Sequence, residues 1–188
     1  TALTHYILIV SSMGVAVLVG AYLIALIFAR VDFYSFVSSA LPAQTVAVST
    51  QSSLASLPAM LDSAERLGIK QSISEFVLPL AVAIFRATSP AMNFAVVVYV
   101  AYLTGTEISY ATIIAGLGTA FIISIGSVSL PGSISFVVST GPIALAMGVP
   151  LEPLALLVAV EMLPDIVRTV GNVTMNLAIT SAVDRLER

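Results

Sequence analysis

The 188 residues predict an all-α membrane protein in which transmembrane helices are joined by two re-entrant helical hairpins forming an inverted repeat. Three observations carry that prediction. Apolar residues fill 59% of the chain against 9% charged, with a mean hydropathy of +1.08, which leaves too few charges to solvate a water-facing surface. The charges cluster between apolar runs instead of alternating along helix faces, which marks loops and membrane borders. The apolar runs fall into two length classes, and the shorter ones meet in pairs at polar junctions rich in Ser and Pro.

Residues 1–32 are expected to form a transmembrane helix. Positions 2 to 29 are nearly all apolar or small, enough to cross a hydrocarbon core of roughly 30 Å with some tilt, and the run ends at Arg30 and Asp32. With no starting Met, no basic leader and no small-residue cleavage site, it reads as a span and not a signal peptide, in a chain expected to be part of a longer one. Residues 33–70 form the first hairpin. Its arms, 33–49 and 54–65, are each too short for comfortable crossing and meet at Ser49-Thr-Gln-Ser-Ser53.

Residues 71–105 form an interrupted span, because Phe85-Arg-Ala-Thr-Ser-Pro90 places a charge and a residue without an N–H in its middle. Residues 106–150 repeat the hairpin, with arms 108–127 and 133–148 around Ser127-Val-Ser-Leu-Pro-Gly-Ser133. Residues 151–188 form a polar span whose apolar stretch, 153–183, carries Glu161, Asp165, Arg168, Asn172 and Asn176 and leaves the membrane at Asp184-Arg-Leu-Glu-Arg188.

Hairpin, interrupted span, hairpin, polar span is an internal repeat, its tips about 78 residues apart from Ser52 to Leu130. Duplicated, interrupted apolar segments are the best sequence pointer to a transporter's binding site. Non-helical backbone at membrane depth survives only beside protein or a wet cavity, so both tips are expected to face one cavity. With both hairpins re-entrant, Arg30, Arg66, Lys70, Arg185 and Arg188 fall on one side and Glu107 and Glu152 on the other. This is the positive-inside pattern of a multi-pass protein of the cell's inner (plasma) membrane with a cytoplasmic C-terminus. Four full crossings keep the same parity, so arm length and the polar tips decide between the two topologies.

Positions 161, 165, 168, 169, 172 and 176 recur at spacings of three and four, which predicts one polar face on the last helix. A charge at mid-bilayer costs on the order of 3 kcal/mol, so Arg168 needs an anionic partner, and Asp165 is the local one. The two could merely neutralise each other between helices. Against that, a guanidinium has five donors and can hold both Asp165 and a solute carboxylate. Ser52, Ser53, Ser127, Ser129 and Ser133 could be helix-packing residues. Their repetition at matching tips, with half-helices starting near Leu54 and Ser133, favours a carboxylate cradle.

Zero cysteines and one histidine, His5, leave no thiol framework, no metal site and no Ser-His dyad. A net charge of −3 offers no surface for nucleic acid, and no phosphate-loop glycine pattern supports ATP use. No cofactor or enzymatic role is expected.

Asp165-Ile-Val-Arg-Thr-Val-Gly-Asn-Val-Thr174, Gln51-Ser-Ser-Leu-Ala-Ser-Leu-Pro58 and Ser127-Val-Ser-Leu-Pro-Gly132 together resemble motifs of the dicarboxylate/amino acid:cation symporters. The likeness covers nearly the whole chain and corresponds to the C-terminal transport-domain part of that family, without its scaffold helices. It implies alternating access, a homotrimer assembled through those scaffold helices, and an acidic amino acid or C4-type dicarboxylate as solute. Arg168 would bind a carboxylate, Asp165 would orient that arginine or take an amino group, and Thr169 and Asn172 would complete the pocket. Ser52, Ser53, Ser89, Leu130, Pro131 and Gly132 would line the solute, with the second tip as gate.

The departures fall on the cation side. Where the family carries Asn-Met-Asp-Gly-Thr, this chain has Phe85-Arg-Ala-Thr-Ser89, so a sodium-binding aspartate becomes Ala87, and a second is replaced by Asn176. The coupling region is expected at Arg86, Ala87, Glu161, Asn176, Ser124 and Ser127. Two lost carboxylates and a gained guanidinium oppose sodium, so proton coupling through Glu161 or Asp165, or no coupling cation, is expected instead. The alternative is an anion-selective channel or a solute-sensing membrane protein using the same arginine as a filter.

Overall fold

A computed structural model describes residues 2–126 and 132–188, with side chains for 2–125 and 135–188, and every regular element among them is helical. Helix α1 (Ala2–Ile27) has 26 residues, a rise of about 39 Å, ample for a bilayer. Asp32, in extended conformation, caps α2 (Phe33–Thr50) by accepting the Ser35 N–H at 3.1 Å. Gln51 ends α2 in the left-handed region, φ 50°, its N–H bonded to the Ala47 carbonyl. A turn over residues 53–56 follows, and α3 (Leu57–Arg66) starts at Leu57, not near Leu54 as the sequence suggested. The reason is local: Pro58 fits only the first turn of a helix, and serine oxygens already satisfy the turn, Ser52 Oγ accepting from the Ala55 N–H and Ser56 Oγ donating to the Ser52 carbonyl.

The interrupted span is α4 (Gln71–Ile84) and α5 (Thr88–Thr104), separated at residues 85–87, with Phe85 extended. Pro90 therefore sits in the first turn of α5, where its missing N–H costs nothing, and the break precedes it. Helices α6 (Tyr110–Gly126) and α7 (Gly132–Met147) pack against each other as the second pair. Ser127, Ser129, Leu130 and Pro131 of their junction lie outside the described residues, and Gly132 and Ser133 are described by backbone alone.

One expectation is corrected at the C-terminus. The polar span is not one helix but α8 (Glu152–Leu157), a 3-10 turn (Val158–Val160) and α9 (Met162–Leu186). Pro164 supplies the cause, because it has no N–H for the Val160 carbonyl and its ring crowds that group, tightening the preceding turn.

Two apolar clusters hold the helices. One gathers Tyr6, Val10, Met92, Val96, Ile143, Met147 and Leu157; the other gathers Ala21, Phe36, Ala40, Ala47, Met60, Leu78, Val173 and Leu177. Helices α1 and α9 pack along each other at small residues, where a Cβ added to Gly14 would strike Val167 and one added to Gly171 would strike Thr88. The outer surface is apolar, with Leu8, Phe28, Tyr34, Phe76, Ile114, Ile122, Leu145 and Leu156 all well exposed. Such a surface suits lipid. Helix α1 and the combined α4–α5 stretch are long and apolar enough to cross a membrane, and the arms of the second pair are shorter.

Candidate functional site

A cavity of about 470 Å³ opens where the α2–α3 turn, the start of α5, α7 and α9 converge. Its walls are polar. Thr50, Gln51, Ser52 and Ser53 come from the turn, Arg86, Ser89 and Asn93 from the break and α5, Ser135 and Ser139 from α7, and Asp165, Arg168, Thr169 and Asn172 from α9. The α2–α3 turn, the break before α5, α7 and α9 thus each supply wall.

Arg168 is the centre of the charge pattern, its side chain only 12% exposed. Nη2 donates to Glu161 Oε1 at 2.6 Å and Nη1 to Asp165 Oδ1 at 3.0 Å, while Nε is buried without a partner among the described residues. The sequence named Asp165 as the partner of Arg168; the closer one is Glu161, which the 3-10 turn swings under the guanidinium. The buried Tyr6 hydroxyl in turn donates to Glu161 Oε2 at 2.5 Å. Taking one member from a buried charge cluster leaves an uncompensated charge and costs about 3–5 kcal/mol, so these groups hold one another in place.

The rest of the α9 stripe divides. Thr169 donates its hydroxyl to the Asp165 carbonyl at 2.9 Å, and Asn172 Oδ1 accepts from Thr88. Asn176 is not among the lining residues described; it is 1% exposed, and both its side-chain polar atoms lack a partner among the described residues. Of the other expected residues, Ala87 packs against the second apolar cluster. Ser124 is buried, donates to the Phe121 carbonyl at 2.8 Å and is not among the lining residues. Ser127, Leu130 and Pro131 fall outside the described residues, and the side-chain surroundings of Gly132 are not described.

Sequence reasoning missed Thr50, Asn93, Ser135, Ser139, Thr88 and Tyr6. Helical spacing could have found three of them: Asn93 lies one turn after Ser89, and Ser135 and Ser139 lie one turn apart. Nothing local points to Tyr6, which reaches Glu161 from another helix.

Comparison with known proteins follows the same lines. The chain matches the family described as the sodium:dicarboxylate symporter family over residues 1–186. It is 27% identical over 170 residues to an excitatory amino acid transporter of Caenorhabditis elegans, covering 90% of this chain and 33% of that protein. It is 32% identical over 152 residues to excitatory amino acid transporter 2 of Mus musculus, covering 80% of the chain and 26% of that protein. The neutral amino acid transporter B(0) of Mus musculus is 30% identical over 152 residues, with 80% and 27% covered. The chain spans about a third or less of the length of these relatives.

Proposed function

The chain belongs to the sodium:dicarboxylate symporter family, and from that premise we propose that it forms the solute-binding part of a secondary transporter for an acidic amino acid or C4-type dicarboxylate. The observation that carries the reading is Arg168: a buried guanidinium in the wall of a polar cavity, with two carboxylates beside it. One relative is named for neutral amino acids, whose side chains bring no second carboxylate to a buried cation.

In this reading a solute carboxylate competes with Asp165 for Arg168. The Asp165 bond is the longer of the two, and Asp165 is the more exposed carboxylate, whereas Glu161 is also held by Tyr6. Asp165 is then released to take an amino group where the solute has one. Thr169, Asn172, Ser89, Ser52 and Ser53 complete the pocket, with Leu130, Pro131 and Gly132 of the second tip as its gate. The segments are a transmembrane helix (1–32), re-entrant hairpins (33–70 and 106–150), an interrupted span (71–105) and a polar span (151–188), moving by alternating access against scaffold helices that also build a homotrimer. The chain resides in the inner (plasma) membrane with its C-terminus in the cytoplasm.

Coupling is proposed to be sodium-independent, through a proton or no cation. Ala87 and Asn176 cannot supply carboxylate ligands, and Arg86 brings a cation to the cavity wall. The test is exchange of labelled aspartate and succinate by the intact protein in proteoliposomes, at fixed membrane potential and pH, with sodium replaced by choline. Saturable exchange that persists without sodium is expected. Exchange that vanishes with sodium removal overturns the coupling, and a non-saturating current without exchange favours a channel.

A further inference from the structure

Asn172 has a partner that the pocket described so far does not use. Thr88 opens α5; its backbone N–H donates to Asn172 Oδ1 at 3.0 Å, and its hydroxyl lies 2.9 Å from the same oxygen and 3.1 Å from the Arg168 carbonyl. Thr88 is fully buried and Asn172 is 5% exposed. A backbone N–H can only donate, so the atom facing it has to be an acceptor, and this settles which end of the amide meets α5. With Thr88 donors on that oxygen, the NH2 end is what Asn172 has left for the cavity it lines. The contact is tight as well as polar, for a Cβ at Gly171 would come within 2.6 Å of Thr88 Cγ2.

We propose that Thr88 is a positioning residue that fixes Asn172 as a pure hydrogen-bond donor, so that the pocket selects a carboxylate over a carboxamide at the solute end remote from Arg168. The inference rests on the solute reading above and deepens it. A carboxylate accepts at every lone pair. A carboxamide presents one accepting and one donating end, and it pairs best with an amide that is free to turn. A locked Asn172 penalises the carboxamide; an unlocked one forgives it.

The test is binding of two pairs, succinate with succinamate and aspartate with its 1-amide, to the purified intact protein. In each pair the carboxylate for Arg168 is retained and the other becomes a carboxamide. Thr88→Val keeps the volume and the backbone N–H but removes the hydroxyl. The N–H still holds Oδ1, so the lock is loosened and not lost, and the ratio of carboxylate to carboxamide affinity should fall by up to about fivefold, the factor that one neutral hydrogen bond sets. Thr88→Ser should restore the ratio. Thr88→Ala gives the same comparison without the methyl group, should the valine protein fail to fold.

In an Asn172→Ala background, Thr88→Val should leave the ratio unchanged, because the group it positions is gone. A merely structural role would weaken all ligands alike. An unchanged ratio in both Thr88→Val and Thr88→Ala, or an equal fall with Asn172 already removed, overturns the role of Thr88 alone. Wild-type protein that binds none of the four probes overturns the solute reading with it.

Discussion

Tyr6 and Glu161 are 155 positions apart in sequence and 2.5 Å apart in space. That bond shows what an isolated residue can and cannot announce. Arg168, Asp165, Thr169 and Asn172 were legible because helical spacing gathers them on one face and lipid forbids such a face from looking outward. Tyr6 was not, because a tyrosine in an apolar run is the ordinary content of a membrane helix. Tyr6→Phe should lower stability in detergent by about 2 kcal/mol, the scale of a hydrogen bond to a buried charged group. Thermal unfolding of the two proteins side by side checks this, and an unchanged midpoint would mean that Arg168 alone satisfies Glu161.

At the scale of elements, prolines were the clearest punctuation and also the most misleading. Pro90 signalled the broken span, yet the chain breaks before it and uses it inside the first turn of α5. Pro164 has no N–H for the Val160 carbonyl and so forces the tightened turn before α9, a consequence visible in sequence only by counting back four residues. Pro42, Pro79 and Pro142 sit within helices, where neighbouring segments absorb the lost bond.

The ends of the elements are tied by Asp184, 4% exposed near the end of α9. It accepts from the Lys70 N–H at the start of α4 at 3.0 Å and from Arg188 Nε at 2.7 Å, and Arg188 also donates to the Gly68 carbonyl. This brings the turn after α3 to the C-terminal end of α9. Asp184→Ala removes the charged acceptor of the Lys70 N–H and should cost about 1.5–3 kcal/mol, the scale of a hydrogen bond to a charged group. Arg188→Ala removes a half-exposed partner and should cost less than about 1 kcal/mol. Chemical denaturation of both variants compares the two costs, and equal losses would place the anchor in the ion pair and not in the helix start.

For the molecule as a whole, lipid explains more than any single contact. Because the surroundings are apolar, many large side chains can face outward while small residues, Ala40, Ala43, Ala47, Gly14 and Gly171, let helices approach. The polar groups are left a shared interior around Arg168, walled by α2, α5, α7 and α9. The helical segments were readable in outline from apolar run lengths, but how they meet depends on contacts between residues far apart in sequence. The most direct measurement is titration of aspartate and succinate into the purified intact protein and its Arg168→Gln variant. If the guanidinium holds a solute carboxylate, the wild type binds at least one of them and the variant loses at least about 100-fold in affinity, the scale of a desolvated, charge-assisted pair. Equal affinity in the two proteins would contradict it.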